Sequence, residues 1–306
     1  MEINTLVIRE NKNQLYLQYP ISISHKSDYL WYSVSNRYLD LVTDLLDGPL
    51  VALLIPAMAL GEDIYINGSI SKRLFYNLSK TCQILLKQII PSLKLVNIYP
   101  KEVKTKKHKA SGVATGFSCG VDSFCLLNDH FYSKVPEGYK ITHLLFNNVG
   151  SHGRKNEKLF EDRFRKSKNV ADKIGLPILK INSNLDKFYD GYGFQLTHSL
   201  RNCSVPLLLQ KGIGRFFYAS TFDFSHIHIK PTYDIAYVDP ILLPLLSTEV
   251  LDVISSGSEY TRVEKTLKVA KLNDSYDSLD VCVDPESAGN CSKCWKCLRT
   301  MLILDI

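Results

Sequence analysis

Four cysteines close the chain in the pattern Cys282-x8-Cys291-x2-Cys294-x2-Cys297. Thiolates at this spacing can wrap a single ion, because two C-x-x-C turns share Cys294 and Cys282 can complete the shell. A closed tetrahedral zinc site (Zn²⁺) is the expectation, with an iron–sulfur cluster as the alternative. Asn290 and Lys293 stand where they could steady the ligands. The second constellation is Ser118-Cys119-Gly120-Val121-Asp122-Ser123. It lies between a small-residue strand, SGVATGF, and a helix through Phe124, Leu126 and Leu127. Such a loop turns backbone N–H groups toward an anion, and Ser118 and Ser123 add hydroxyls. Asp122 would repel a phosphate unless a cation came between them, which points to Mg²⁺. A simple capping turn uses the same residue types. Cys119 reads either as a reactive thiol activated at a helix start or as a small residue that fits.

Other candidates follow from where strands should end. Asn147 and Asn148 follow the strand ITHLLF, and Ser151-His152-Gly153-Arg154 forms the next loop, so His152 and Arg154 are candidate phosphate or substrate contacts. His198 and Arg201 are three apart and share a helix face, where Arg201 could clamp a carboxylate. Arg262 and Lys265, behind a Ser/Gly-rich run, form a second candidate anion site. Turns, exposed loops and surface charge are the plain alternatives for each.

The elements that must hold these residues fall into two parts. Before residue 105 the pattern is a small α+β unit: strands at EINTLVIRE and QLYLQYPISI, a helix over Asn36–Asp47, a buried apolar segment at 49–60, a strand at 63–67 and a long helix over 69–90. Residues 101–111, KEVKTKKHKAS, read as an exposed basic linker. From 106 to 306 strands alternate with helices, which predicts an α/β domain with a parallel sheet and a ligand edge at the strands' carboxyl ends. The division is therefore 1–105 and 106–306, the latter including the cysteine segment 282–299. With 306 residues, 45% hydrophobic and 22% charged, disordered and fibrous classes are excluded. A net charge of +6 does not by itself mark a nucleic-acid binder. The start lacks a signal-peptide pattern and the longest apolar run is too short to span a bilayer, so a cytoplasmic protein off the membrane is expected.

The loop S-C-G-V-D-S is not a Walker A sequence. It resembles the S-G-G-x-D-S loop of the PP-loop ATP pyrophosphatases, with Cys119 in place of the first glycine. Together with the ending NCSKCWKCLRTML, the chain is similar over residues 111–306 to the 7-cyano-7-deazaguanine synthase (QueC/ExsB) branch, as a divergent relative with an extra N-terminal part. The resemblance implies a Rossmann-like adenine nucleotide alpha hydrolase fold that uses ATP, Mg²⁺ and zinc. It implies adenylation of a substrate carboxylate, with AMP and pyrophosphate released, then attack by ammonia to give an amide or nitrile. Ser118, Asp122 and Ser123 would be catalytic, residues 118–123 with Arg262 or Lys265 would hold phosphates, and Asn147 would lie at the adenine. Partners would be a small carboxylate and ammonia, with a tRNA or protein substrate, and a homodimer, left open. A tRNA sulfurtransferase of the same family and a non-enzymatic ATP- or zinc-binding module are the alternatives.

Overall fold

Leu15, Leu17, Tyr19 and Ile21 are buried and alternate with more exposed neighbours, the signature of a strand with one covered face. The computed structural model describes residues 1–106, 108–152, 156–284, 287 and 289–305. The first part carries β1 (Glu2–Asn4), β2 (Val7–Asn11), β3 (Gln14–Ile23), β4 (Lys26–Ser35), α1 (Asp47–Leu60), β5 (Ile64–Ser71), α2 (Lys72–Asn77), α3 (Gln83–Ile89) and β6 (Ile98–Lys104). The second carries β7 (Gly112–Gly116), α4 (Val121–Leu127), β8 (His143–Asn148), α5 (Glu157–Ile174), β9 (Ile178–Ser183), α6 (His198–Leu208), β10 (Ile213–Ala219), α7 (Asp239–Leu245), β11 (Asp252–Ser256), α8 (Arg262–Val269) and α9 (Trp295–Leu304).

All eleven strands join one sheet in the order β11-β10-β7-β8-β9-β4-β3-β1-β5-β6, with β2 beside β3. The five strands β11 to β9 run parallel, and β9 meets β4 antiparallel. From β7 the chain builds outward to β8 and β9, then returns to place β10 on the other side. The order therefore reverses between β7 and β10, and such a reversal opens a crevice at the strands' carboxyl ends. α4 and α5 share the core on one face with Val269 of α8. The other face is covered by α6, α7 and α1, the last donated by the first part of the chain.

Several local expectations give way. Residues 36–47 form a single 3-10 turn (Asn36–Leu41) and not a helix, and β4 had no place in the sequence reading. Lys101–Lys104 belong to edge strand β6, where charged side chains on an open edge discourage further pairing, so the linker is shorter than its composition suggests. The helix expected from Ser69 starts at Lys72 and passes through a π-turn (Leu78–Cys82).

Helix α1 shows how the two parts lock. It is buried from Asp47 to Met58 despite Pro56. Proline lacks the N–H that would bond Ala52, and the Tyr189 hydroxyl donates to the Ala52 carbonyl at 2.6 Å instead. Asp47 accepts from the Ser71 N–H at 2.8 Å and from Gln210 at 2.7 Å. Gly48 lets α1 approach α6: a Cβ there would lie 2.6 Å from Leu208 and 2.9 Å from the Ser204 carbonyl.

Candidate functional site

The loop between β7 and α4 opens at the strand-order reversal. Phe117 anchors it, with its N–H on the Leu145 carbonyl at 2.8 Å and its ring edge-on to Phe124. Cys119 holds a left-handed backbone with φ of 59°, a conformation that costs a side-chain-bearing residue about 1 kcal/mol. Its thiol points into the core, 3.6 Å from Ser167 Oγ, and burial pushes its pKa up to about 11. That corrects the reactive-thiol reading, because a buried thiol held protonated is a poor nucleophile. Ser123 spends its hydroxyl proton on the Gly120 carbonyl at 3.0 Å, whereas Ser118 is exposed toward the cleft. Val121 lies beside them at the start of α4.

The loop and the second candidate anion site come together here. Both carboxylate oxygens of Asp122 accept from Arg262 at 2.9 Å, and Lys265 adds a contact at 3.3 Å. Lys265 is only 2% exposed and also donates to the Ser220 carbonyl and hydroxyl at 2.6 and 2.8 Å. A carboxylate so occupied is not offered to a divalent cation. The Mg²⁺ role expected of Asp122 does not fit this arrangement. Asp122 instead orients two cations beside the loop.

The cleft above these residues encloses about 530 Å³, within the range of small-molecule sites. On the α6 and β10 side it is lined by Phe194, Gln195, His198, Asn202 and Tyr218. His198 Nδ1 lies 2.7 Å from the Tyr218 hydroxyl and Nε2 lies 3.3 Å from Asp234. Asn147 points its amide toward Asn202 Oδ1 at 3.4 Å, while its own Oδ1 is buried without a partner among the described residues. His152 lines the same cleft against Phe146 and Phe160. Burial, with Arg163 nearby, lowers its pKa to about 4, so it stands neutral at physiological pH. Arg154 lies outside the described residues. Arg201 does not line the cleft and is no clamp for a substrate carboxylate. It is 1% exposed, bonded to Asp186, Thr197 and two backbone carbonyls, and stacked on Tyr189. Gly150, at φ of 118°, makes room for it.

The cysteines do gather. The sulfur atoms of Cys282, Cys291, Cys294 and Cys297 all lie within 4.8 Å of one another, a donor set that fits zinc. The Cys294 N–H points at Cys291 Sγ at 3.3 Å and the Asp284 N–H at Cys282 Sγ at 3.4 Å. Backbone N–H groups of Val283 and Cys297 lower the Cys294 pKa to about 6, favouring the ligating thiolate. Asn290 ties the knuckle to the preceding segment through the Val281 N–H at 2.9 Å and the Leu279 carbonyl at 2.8 Å. Lys293 is exposed.

Sequence reasoning missed Asn202, Tyr218, Arg163 and Lys296, and noted Arg299 only as part of the NCSKCWKCLRTML ending, with no role at the site. Arg163 reaches from α5 to the carbonyls of Cys282, Asp284 and Ser287, clasping the cysteine segment against the cleft. The three-residue spacing of Lys296 and Arg299 across Cys297 was the available signal for that pair. No protein-family model matches this chain, and no curated protein matches it in sequence. Among the described residues, no helix is long and apolar enough to cross a membrane.

Proposed function

We propose that this protein is an ATP-dependent adenylating enzyme that activates a carboxylate and passes the acyl group to ammonia. One observation carries the reading: a single cleft at the strand-order reversal is lined both by a small-residue loop with Arg262 beside it and by the aromatic side chains Phe194 and Tyr218 with His198 and Asn202. A ligand that joins phosphates to a planar group matches that lining. Ser118 and the backbone around Gly120 face the departing pyrophosphate, and Arg262 and Lys265, held by Asp122, offset the charge that builds on it. The substrate carboxylate oxygen attacks the α-phosphorus as the bond to the β-phosphate oxygen breaks. Ammonia then adds to the acyl carbon, AMP leaves, and a proton goes to solvent. The work is positioning and electrostatics, and no protein nucleophile is required. Zinc on Cys282, Cys291, Cys294 and Cys297 would supply structure, as closed sulfur sites do. The burial of Cys119 gives the sulfurtransferase alternative no help.

The test is phosphorus NMR of ATP with the protein, Mg²⁺, ammonium and a metabolite extract. AMP and pyrophosphate should appear, and Arg262→Ala should slow their formation about 100-fold. ADP with phosphate, or unaltered ATP together with no ATP binding, would overturn the reading.

A further inference from the structure

Helix α9 follows directly from the cysteine knuckle: Cys294 caps it, and Cys297 lies in its first turn. Lys296, between those two cysteines, and Arg299, three residues on, share a helix face. Both line the same cleft as Ser118, Gly120 and Arg262. Among the described residues neither makes an ion pair, and Arg299 Nε is buried without a hydrogen-bond partner. Trp295 lies against both, its ring centre 4.8 Å from the Arg299 guanidinium carbon and 5.5 Å from Lys296 Nζ. Arg163, Arg262, Lys296 and Arg299 line the cleft against two carboxylates, Asp122 and Asp280, each already paired with a cation that does not line it, Lys265 for Asp122 and Lys166 for Asp280. Such an excess of positive charge suits a multiply charged anion.

The helix has little else to hold it. Of its ten residues only Cys297, Thr300 and Ile303 are buried. Trp295, Leu298, Met301 and Leu302 are all at least half exposed. Apolar burial this thin does not fix a helix, whereas a metal joining its cap and first turn to Cys282 and Cys291 does.

We propose that α9 is a metal-organised jaw of the anion site: Lys296 and Arg299 bind the phosphoryl oxygens of a polyphosphate, and metal on the four cysteines holds them in place. This rests on the reading of the cleft as a phosphate site and adds to it the residues and the condition that complete it. The prediction is that metal occupancy sets polyphosphate affinity.

The probe is inorganic pyrophosphate, titrated calorimetrically into the full chain with zinc content measured in every sample. Lys296→Ala and Arg299→Ala should each weaken binding about tenfold while zinc stays at the wild-type level. Lys271→Ala, an exposed lysine that does not line the cleft, should bind as wild type. Stripping the metal should weaken binding at least as much as the Lys296→Ala/Arg299→Ala double variant, and returning zinc should restore it. Wild-type affinity in the zinc-loaded double variant would overturn the proposal. Unchanged affinity in stripped protein that keeps its circular dichroism would do so as well. If stripping unfolds the chain, the two point variants decide. Pyrophosphate that binds the wild type but is indifferent to Lys296 and Arg299 sinks the jaw alone. Pyrophosphate that does not bind the wild type sinks both the jaw and the phosphate site.

Discussion

Asp122, Arg262 and Lys265 were joined at one phosphate site only through the family resemblance; no pattern in the residues themselves united them. They stand 140 and 143 residues apart, and helical or strand periodicity reports only neighbours within one element. Arg201 failed for the converse reason: its spacing from His198 was read correctly, yet spacing does not say which side of a helix faces solvent. Two predictions belong to this scale. Asp122→Ala leaves Lys265 buried without its counter-charge and should destabilise the fold by about 2 kcal/mol, reduced from the fully buried case because Asp122 is part-exposed. Adding Lys265→Met should return much of that loss in urea unfolding, and no recovery would show that Asp122 acts otherwise. The second concerns Asp239, whose pKa burial raises to about 6, with Asp234 adding to the rise while His198 and Ser199 oppose it. Between about pH 4 and 6 the folded chain keeps a proton that the unfolded chain has released. Its contribution is therefore full at lower pH and is lost as pH rises through 6. Asp239→Asn should thus gain on the wild type by about 3 kcal/mol between pH 4 and 7.5. A stability difference that does not move with pH would refute the shift.

At the scale of elements, α1 shows what a pattern can and cannot announce. Residues 49–60 were legible as an apolar run, either a buried helix or an edge segment, but the choice between the two was not, because a helix covered on every side has no amphipathic period. Pro56 also argued for interruption. The helix survives because Tyr189, distant in sequence, answers the carbonyl that proline leaves free. Tyr189→Phe should therefore cost about 1–3 kcal/mol, the penalty of a buried unpaired carbonyl. In a Pro56→Ala background, where residue 56 regains its own N–H, the same change should cost much less. Additive effects in that double-mutant cycle would disprove the compensation. Gly48→Ala tests the neighbouring contact. Its Cβ would meet the Ser204 backbone as well as Leu208, so the helices must part, at about 1–3 kcal/mol in thermal or urea melts. Elements with a clean period are easier to read: α5 is amphipathic and ends at Gly175, which takes a left-handed conformation.

Over the whole molecule, the alternation after residue 106 was enough to foresee a parallel sheet and its ligand edge. The way the first 105 residues attach was not. The seam between β4 and β9 has only two residue pairs, Tyr32 with Ser183 and Ser33 with Asn182. Asn184 extends it with side-chain bonds to the Trp31 N–H at 2.9 Å and the Tyr29 carbonyl at 2.7 Å, and Ser183 Oγ donates to the Trp31 carbonyl at 2.8 Å. No local pattern signals so short a pairing across 150 residues. Behind it, Leu50–Met58 of α1 share one core with Leu200, Val205 and Leu207 of α6, and α6 forms one wall of the cleft through His198 and Asn202. The N-terminal part thus covers the back of the helix whose front faces the cleft. Residues 106–306 expressed alone would expose the edge of β9 and strip one side of α6, both invitations to aggregation. Urea unfolding followed by Trp295 fluorescence, with size-exclusion chromatography, should find that fragment aggregated or without a cooperative transition. A soluble monomer with a sharp transition would mean instead that the seam joins two independently folding domains, and that α1 merely docks on a helix already fixed.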